Sequence, residues 1–461
     1  MTELVFNNDL IKKYDKSGPR YTSYPTAIQF TEGFSEENYY QQVKLSNERN
    51  TPLSLYFHIP FCDTICYYCG CNKIVTKNRN HAQPYLDSIY KELALQGPLF
   101  KATRIVNQLH WGGGTPTFIS HDQMTELMQQ TRKYFTLLDD DSGEYSIELD
   151  PREVTSTSIH LLRKLGFNRI SLGVQDFNPK VQQAVNRIQS YKETRDVILA
   201  ARKNEFHSIS LDLIYGLPMQ TVDSFNETVD KVLDLDPDRL SVFNYAHLPE
   251  MFKTQRQINS ADLPSAEDKL AILQQVTNKL IAAGYEYIGM DHFAKPSDEL
   301  AIAQKERKLY RNFQGYSTNS DCDLVALGVT SIGKVADSYS QNIKTIKEYT
   351  DVVDSGNLPV YRGVALTPDD VLRREVINQL ICHFELNLKN IENEYAINFS
   401  DYFSEELMQI KDMEVDSLLT LSDEKIVVLP EGKLLIRNIC MVFDIYLKQS
   451  KEQKQRFSKV I

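Results

Sequence analysis

No apolar run in this 461-residue chain approaches the ~18–20 residues that a membrane-spanning helix needs. Positive charge is not in excess either: 51 Lys and Arg face 62 Asp and Glu, a net −11. That balance argues against a broad polyanion-binding surface and leaves room for a small basic pocket. Short repeats and low-complexity stretches are missing. With 42% hydrophobic and 25% charged residues, the chain is neither disordered nor collagenous nor a coiled coil, and it can bury a sizeable core. Residues 1–16 carry Glu3 and Asp9 and lack the basic-then-apolar order of an export signal. The expectation is a cytoplasmic protein. An evenly spread cysteine framework is absent as well. Of seven cysteines, Cys62, Cys66, Cys69 and Cys71 crowd into ten residues, and Cys322, Cys382 and Cys440 are scattered. A secreted disulfide scaffold does not look like this.

The first two-thirds of the chain alternates short β-rich runs with helix-length segments. Strands are expected at Leu53–Phe57, Ile105–Trp111, Tyr145–Leu149, Arg169–Val174, Ser208–Ile214 and Arg239–Tyr245. Most are apolar and β-branched, as strands buried on both faces are. Helices are expected between them at Tyr85–Leu95, Met124–Phe135, Ser156–Leu165 and Thr221–Leu235. Six consecutive βα steps favour a parallel sheet, barrel or doubly wound, which Tyr285–Met290 would extend or flank. From about residue 365 the texture becomes helical. Thr367-Pro-Asp-Asp370 reads as a helix start, and Asp423–Leu429, a Pro430-Glu-Gly432 turn and Leu434–Leu447 follow in winged-helix-like order. The expected division is an N-terminal arm (1–48), a (β/α) catalytic domain (49–365) and a smaller α-rich C-terminal domain (366–461).

The chemistry concentrates in Tyr56-Phe-His-Ile-Pro-Phe-Cys62-Asp-Thr-Ile-Cys66-Tyr-Tyr-Cys69-Gly-Cys71. Three thiolates at C-x3-C-x2-C spacing can hold three irons of a [4Fe–4S] cluster and leave the fourth open, and an open position makes a metal site catalytic. The alternative is a structural zinc knuckle, which normally uses two separated C-x2-C pairs. Cys71 would block the open iron if it were a ligand, so it reads as a non-ligand nearby. His58 is either a core histidine or a site residue.

In a (β/α) barrel, functional groups sit at the C-terminal ends of strands. That rule selects Tyr56, Gly112-Gly-Gly-Thr115, Glu148, Gln175 and Ala246-His247. Asp212 lies inside an apolar strand, where a carboxylate is costly to bury without a partner; a structural hydrogen bond is the plain alternative. Arg187 could equally be a solvated helix residue. The arm Pro19-Arg-Tyr-Thr-Ser-Tyr-Pro25 is either a strap for the terminus or a cover for the barrel mouth whose Arg20 helps hold an anionic substrate.

The cysteine motif after the first strand of a βα series resembles the radical S-adenosylmethionine (SAM) superfamily. Further segments match in order: Gly18–Ala27, Tyr56–Thr76, Leu109–Thr117, Glu148–Arg152, Gly173–Asp176, Asp212–Pro218, Phe243–His247, Arg311–Tyr316 and Leu435–Cys440. Together they resemble the family of bacterial oxygen-independent coproporphyrinogen III oxidases over practically the whole chain. The resemblance implies a partial (β/α) barrel, an oxidoreductase of haem biosynthesis, a [4Fe–4S] cluster on Cys62, Cys66 and Cys69, and two molecules of SAM. It assigns Tyr56, Gly113, Gly114, Thr115, Glu148 and Ile332 to the cluster-bound SAM. Tyr68, Gln175, Arg187, Asp212 and Ala246 fall to a second SAM. It implies a porphyrinogen substrate, decarboxylation of two propionates to vinyl groups through a 5′-deoxyadenosyl radical, and an electron donor of unstated identity. Nucleic acid is not expected as a partner, and the expected assembly is a monomer. A haem chaperone of the same branch is the rival; such chains are shorter and lack the Pro19–Ala27 arm and Cys71.

Overall fold

The structure is a computed structural model and describes residues 4–319 and 322–449; the final stretch of the expected C-terminal domain, 450–461, and residues 1–3 lie outside the described residues. The chain forms two compact units. One contains 30–276 and 321–365, the other 1–29, 277–320 and 366 onward.

The larger unit is built on six parallel strands: β1 (Leu53–Ile59), β2 (Ile105–Gly113), β3 (Glu144–Leu149), β4 (Arg169–Gln175), β5 (Ser208–Tyr215) and β6 (Arg239–Asn244). They pair in sequence order, with β1 on β2, β2 on β3, and so on to β6. On its other edge β1 pairs in parallel with β7 (Asp323–Leu327), after which β8 (Ile332–Val335), β9 (Ser338–Asn342) and β10 (Val360–Ala365) turn antiparallel. Within this unit the strand path does not return on itself among the described residues, so the sheet is an open, partial barrel. All six expected strands are present, within a few residues of their expected ends.

Helices α1 (Ala82–Gln96), α2 (His121–Tyr134), α3 (Ser156–Lys164), α4 (Tyr191–Lys203) and α5 (Val222–Asp234) link the strands. Four of them start at reciprocal caps, Ser120 with Gln123, Thr155 with Ser158, Ser190 with Glu193 and Thr221 with Ser224. Each cap satisfies N–H groups that the first turn leaves open. Helical spacing then puts Met124, Leu127 and Met128 on one buried face of α2, and Phe225, Val229 and Val232 on one buried face of α5.

In the smaller unit, Glu286–Gly289 pairs antiparallel with His292–Ala294. Helix α6 (Pro368–His383) begins at the Thr367 cap with a proline in its first turn. Lys425–Val428 pairs with both Glu385–Asn387 and Leu419–Leu421 in a three-stranded sheet. Pro430–Lys433 is a short helix instead of an open turn, because proline is preorganised for a first turn. The Leu434–Leu447 segment breaks into Ile436–Val442 and Ile445–Gln449. The Asp444 side chain at the break caps the second piece, accepting from the Tyr446 and Leu447 N–H groups.

One buried charge organises the region behind the sheet. Glu92 of α1 is fully buried and takes donors on both oxygens. Gln96 and Asn342 bond Oε1 at 2.9 and 2.7 Å, while the Gly328 N–H and Tyr349 O–H bond Oε2 at 2.8 and 2.6 Å. The Gln96 bond lies within α1, and the other three tie α1 to the loop after β7, to β9 and to the helix Ile346–Asp354. Burial pushes the Glu92 carboxyl from 4.5 up to about 7, against the pull of its four donors. A raised acid binds more protons folded than unfolded. Its stability contribution is therefore full below 4.5 and is lost as pH rises through about 7. Glu92→Gln leaves two donors facing an amide N–H2, at a cost of about 1–3 kcal/mol, and abolishes that slope. Thermal melts at pH 5 and pH 8 should show a larger gap between wild type and variant at pH 5; a gap independent of pH would contradict the raised carboxyl.

Candidate cluster and cofactor site

The cysteine loop leaves β1 at Ile59 and is held by its own backbone. Gly114 N–H donates to Ile59 O at 2.8 Å and Thr115 N–H to Phe61 O at 2.7 Å; Ile74 N–H reaches Pro60 O at 2.7 Å and Thr76 N–H reaches Cys62 O at 2.9 Å. Farther along, Tyr67 N–H bonds Val185 O at 3.0 Å and Asn186 Nδ2 bonds Ile65 O at 2.7 Å. Gln255 Nε2 binds both Tyr68 O and Ala246 O, at 3.1 and 3.2 Å. Expected residues from β1, β2, β6 and the α4 approach thus meet at one loop.

Gly113 and Gly114 are required for different reasons. Gly113 has φ +114, and a Cβ there would lie 2.7 Å from the His58 ring. At Gly114 a Cβ would lie 2.6 Å from Phe61 O and 2.8 Å from the Pro60 carbonyl carbon, where only bare backbone fits.

Under this crossing lies a polar relay. His58 is 7% exposed, and burial lowers its pKa, so the ring is neutral. Its Nε2 sits 3.1 Å from Asn72 O, an acceptor only, and must carry the proton. Nδ1 is then free to accept from the Tyr56 O–H at 3.0 Å. His58 therefore holds Tyr56 in place under Gly113. Glu148 has a half-exposed side chain. Its Oε2 accepts from Gly113 N–H at 3.1 Å and its Oε1 lies 3.3 Å from His110 Nε2. Although desolvation works the other way, the His110 contact and the Gly113 N–H hold this carboxyl below its ordinary value.

Each motif sulfur has a donor beside it. Thr115 Oγ1 is 3.7 Å from Cys62 Sγ, and Arg187 Nη1 is 3.6 Å from Cys66 Sγ. The Tyr68 hydroxyl also reaches Cys66, which supplies the polar partner that its ring needs. The exposed Cys71 thiol bonds Cys69; that bond and Lys73 pull the Cys69 thiol down against the effect of burial. Among the described residues, no three His, Cys, Asp or Glu side chains converge on a single-ion position. An iron–sulfur cubane takes one thiolate per iron and welcomes donors at the sulfurs. The donor set fits the cluster.

A second group of expected residues gathers beside Cys66. Arg187 is 7% exposed, which removes the solvated-helix alternative. It donates through Nη2 to Gly173 O at 2.5 Å and through Nη1 to Asp150 Oδ2 at 3.1 Å. Gln175 closes β4 with φ +67, an unusual conformation for a side-chain-bearing residue, and its buried Oε1 has no partner. Asp212 accepts from Ser171 at 3.3 Å. Burial, with the Glu148 charge adding to it, pushes its carboxyl up to about 6 even though Ser241 and Ser171 bond it. Ile332 opens β8 two residues after Thr330, whose hydroxyl accepts from Asn72 of the cysteine loop at 3.3 Å.

The expectation took Glu148 from the Glu-Leu-Asp-Pro-Arg segment and missed Asp150 and Arg152 in it. Asp150 Oδ2 also accepts from Arg152 Nη2 at 2.6 Å, and that guanidinium lies 4.0 Å from Cys66 Sγ. An Asp followed two residues later by Arg was the available signal. His110 and Gln255 carried no spacing signal at all.

A parallel open sheet with three thiols at the C-terminal end of its first strand is the arrangement of a radical SAM protein, and the Radical SAM superfamily profile matches residues 56–232. The profile for the HemN C-terminal domain matches 366–435. The chain is 54% identical over 453 residues to the oxygen-independent coproporphyrinogen III oxidase of Pseudomonas aeruginosa, covering 98% of each. It is 51% identical over 452 residues to that of Escherichia coli, again covering 98% of each. A solved structure titled "Coproporphyrinogen III oxidase (HemN) from Escherichia coli is a Radical SAM enzyme" superposes with a TM-score of 0.92 at 48% identity, covering 96% of this chain and 100% of that one. The chain belongs to the oxygen-independent coproporphyrinogen III oxidase family.

Removing Asp150 leaves Arg187 and Arg152 charged and buried with their shared partner gone. Asp150→Ala should cost about 3–5 kcal/mol, read as a lowered melting temperature of the metal-free protein. An unchanged melt would mean that the two guanidiniums do not depend on this carboxylate.

Proposed function

We propose that the protein converts coproporphyrinogen III to protoporphyrinogen IX without molecular oxygen, in haem biosynthesis, by oxidative decarboxylation of two propionates to vinyl groups. The observation that carries this reading is a near-full-length family match combined with a thiol loop whose sulfurs each have a donor beside them. In this reading Cys62, Cys66 and Cys69 hold the [4Fe–4S] cluster and Cys71 stays off the iron. When bound, cluster and SAM supply a deoxyadenosyl radical able to take a hydrogen from an unactivated propionate carbon, which ordinary side-chain bases cannot do.

The chain's own residues bind and orient. Glu148, kept ionised by His110 and the Gly113 N–H, offers a carboxylate to the ammonium group of the first SAM. Gly113 and Gly114 present bare backbone beside it, and Thr115, Tyr56 and Ile332 line the same position. The unpaired Gln175 Oε1, together with Tyr68, Arg187, Asp212 and the Ala246 backbone, supports a second SAM beside the first. Among the described residues no helix is long and apolar enough to cross a membrane, in keeping with a cytoplasmic enzyme. The expected monomer and the separate electron donor belong to this reading too. The chaperone alternative loses ground because the curated relatives at 51–54% identity are oxidases.

Anaerobically reconstituted protein given SAM and a low-potential reductant should form mono- and then divinyl product from coproporphyrinogen. Cys62→Ser, Cys66→Ser and Cys69→Ser should each lose the iron–sulfur absorbance, while Cys71→Ser keeps it. A stable cluster in Cys66→Ser, or bound haem without vinyl product in wild type, would overturn the reading.

A further inference from the structure

The N-terminal arm is held, inside the smaller unit, by arginines that bond its backbone. Arg437 is 3% exposed. It donates through Nε to Pro19 O at 3.0 Å and through Nη2 to Gly18 O. Arg311 is 7% exposed, lies with its guanidinium carbon 4.8 Å from the centre of the Tyr316 ring, and donates through Nε to Arg20 O at 3.3 Å. Tyr316 is fixed in turn by its hydroxyl on Ile381 O at 3.1 Å. Arg20, whose backbone Arg311 holds, pairs its own side chain with Asp291.

These contacts leave two things unexplained. The buried Nη1 of Arg311 has no acceptor, although a guanidinium N–H shut away from water is costly without one. Charge is also out of balance. Arg20, His292, Arg311 and Arg437 all act on the Asp291 carboxylate and, against its burial, hold it below its ordinary value. Burial, then the like charges of Arg20 and Arg311, push Arg437 down to about 10. Three guanidiniums around one carboxylate make a place that a further anion would stabilise. A planar fork with a free edge suits a carboxylate better than a spherical ion.

We propose that Arg311, with Arg20 beside it on the arm, forms a carboxylate subsite that grips a propionate the reaction does not consume. This rests on the porphyrinogen reading above and goes beyond it by naming the group that recognises the substrate's anionic edge. The arm is then part of the binding surface, because Arg311 spends one N–H on the arm's backbone and keeps another for the ligand. A propionate handle also explains a basic cluster in a chain of net charge −11.

The test uses reconstituted holoprotein and coproporphyrin III, the stable oxidised form of the substrate, with its tetramethyl ester as the probe without carboxylates. Arg311→Gln should weaken coproporphyrin binding by ~10–100-fold, the worth of one charge-assisted bond, and leave ester binding, cluster absorbance and substrate-free SAM cleavage unchanged. Arg311→Lys keeps the charge but not the fork, so a Kd between the two is expected; if the Gln variant fails to fold, the Lys variant's weaker binding carries the test. Unchanged coproporphyrin affinity in a folded variant, with wild type still making vinyl product, overturns the subsite alone. Wild type that neither binds coproporphyrin nor converts the porphyrinogen overturns the functional reading beneath it.

Discussion

The site depends on one close approach of backbone to backbone. Where β2 ends, Gly114 and Thr115 donate their N–H groups to Ile59 O and Phe61 O, and no Cβ fits between the two segments at Gly114. The crossing fixes the direction in which the cysteine loop leaves β1. It sets Thr115 beside Cys62 and turns the Gly113 N–H toward Glu148. It also brings Gly113 against the His58 ring, which holds the Tyr56 hydroxyl. A loop with three thiols, whose regular structure is the short pairing of Phe61–Cys62 with Ile74–Val75, would otherwise be ordered at an entropic cost that few contacts of its own offset.

Charge is the second constraint. Arg187 and Arg152 lie against Cys66, where thiolates on iron would concentrate negative charge, and Asp150 balances both guanidiniums. On the other side, Glu148 is kept ionised by hydrogen bonds while Asp212 is pushed toward its neutral form by burial. Two carboxyls on parallel strands separated by β4 thus hold different protonation tendencies. Their surroundings push the two values apart, a pattern that marks binding and catalytic sites more often than structural ones.

The strands were legible because a sheet buried on both faces writes continuous apolar runs. The cysteine loop was legible because cluster spacing is a local property of the chain. Strand-end logic alone reached Tyr56, Gly113, Glu148 and Gln175. It did not reach Asp150, Arg152, His110 or Gln255, whose work is done through partners far away in sequence, such as Cys66 for Arg152 and Tyr68 for Gln255. The break at Phe443-Asp444 was hidden for a similar reason, since the apolar spacing runs on through Leu434–Leu447 and the helix is interrupted by a side-chain cap. The role of His58 was hidden as well, because only the Asn72 carbonyl decides which ring nitrogen carries the proton.

The proposed function turns on the removal of a hydrogen atom from a propionate carbon. The direct measurement is isotope transfer: coproporphyrinogen deuterated at the propionate β-carbons, turned over anaerobically by the reconstituted protein with SAM and reductant, with the adenosine product analysed by mass spectrometry. Deuterium is expected in 5′-deoxyadenosine, with two SAM cleaved for each divinyl product. Vinyl product accompanied by unlabelled 5′-deoxyadenosine, or by intact SAM, would contradict it.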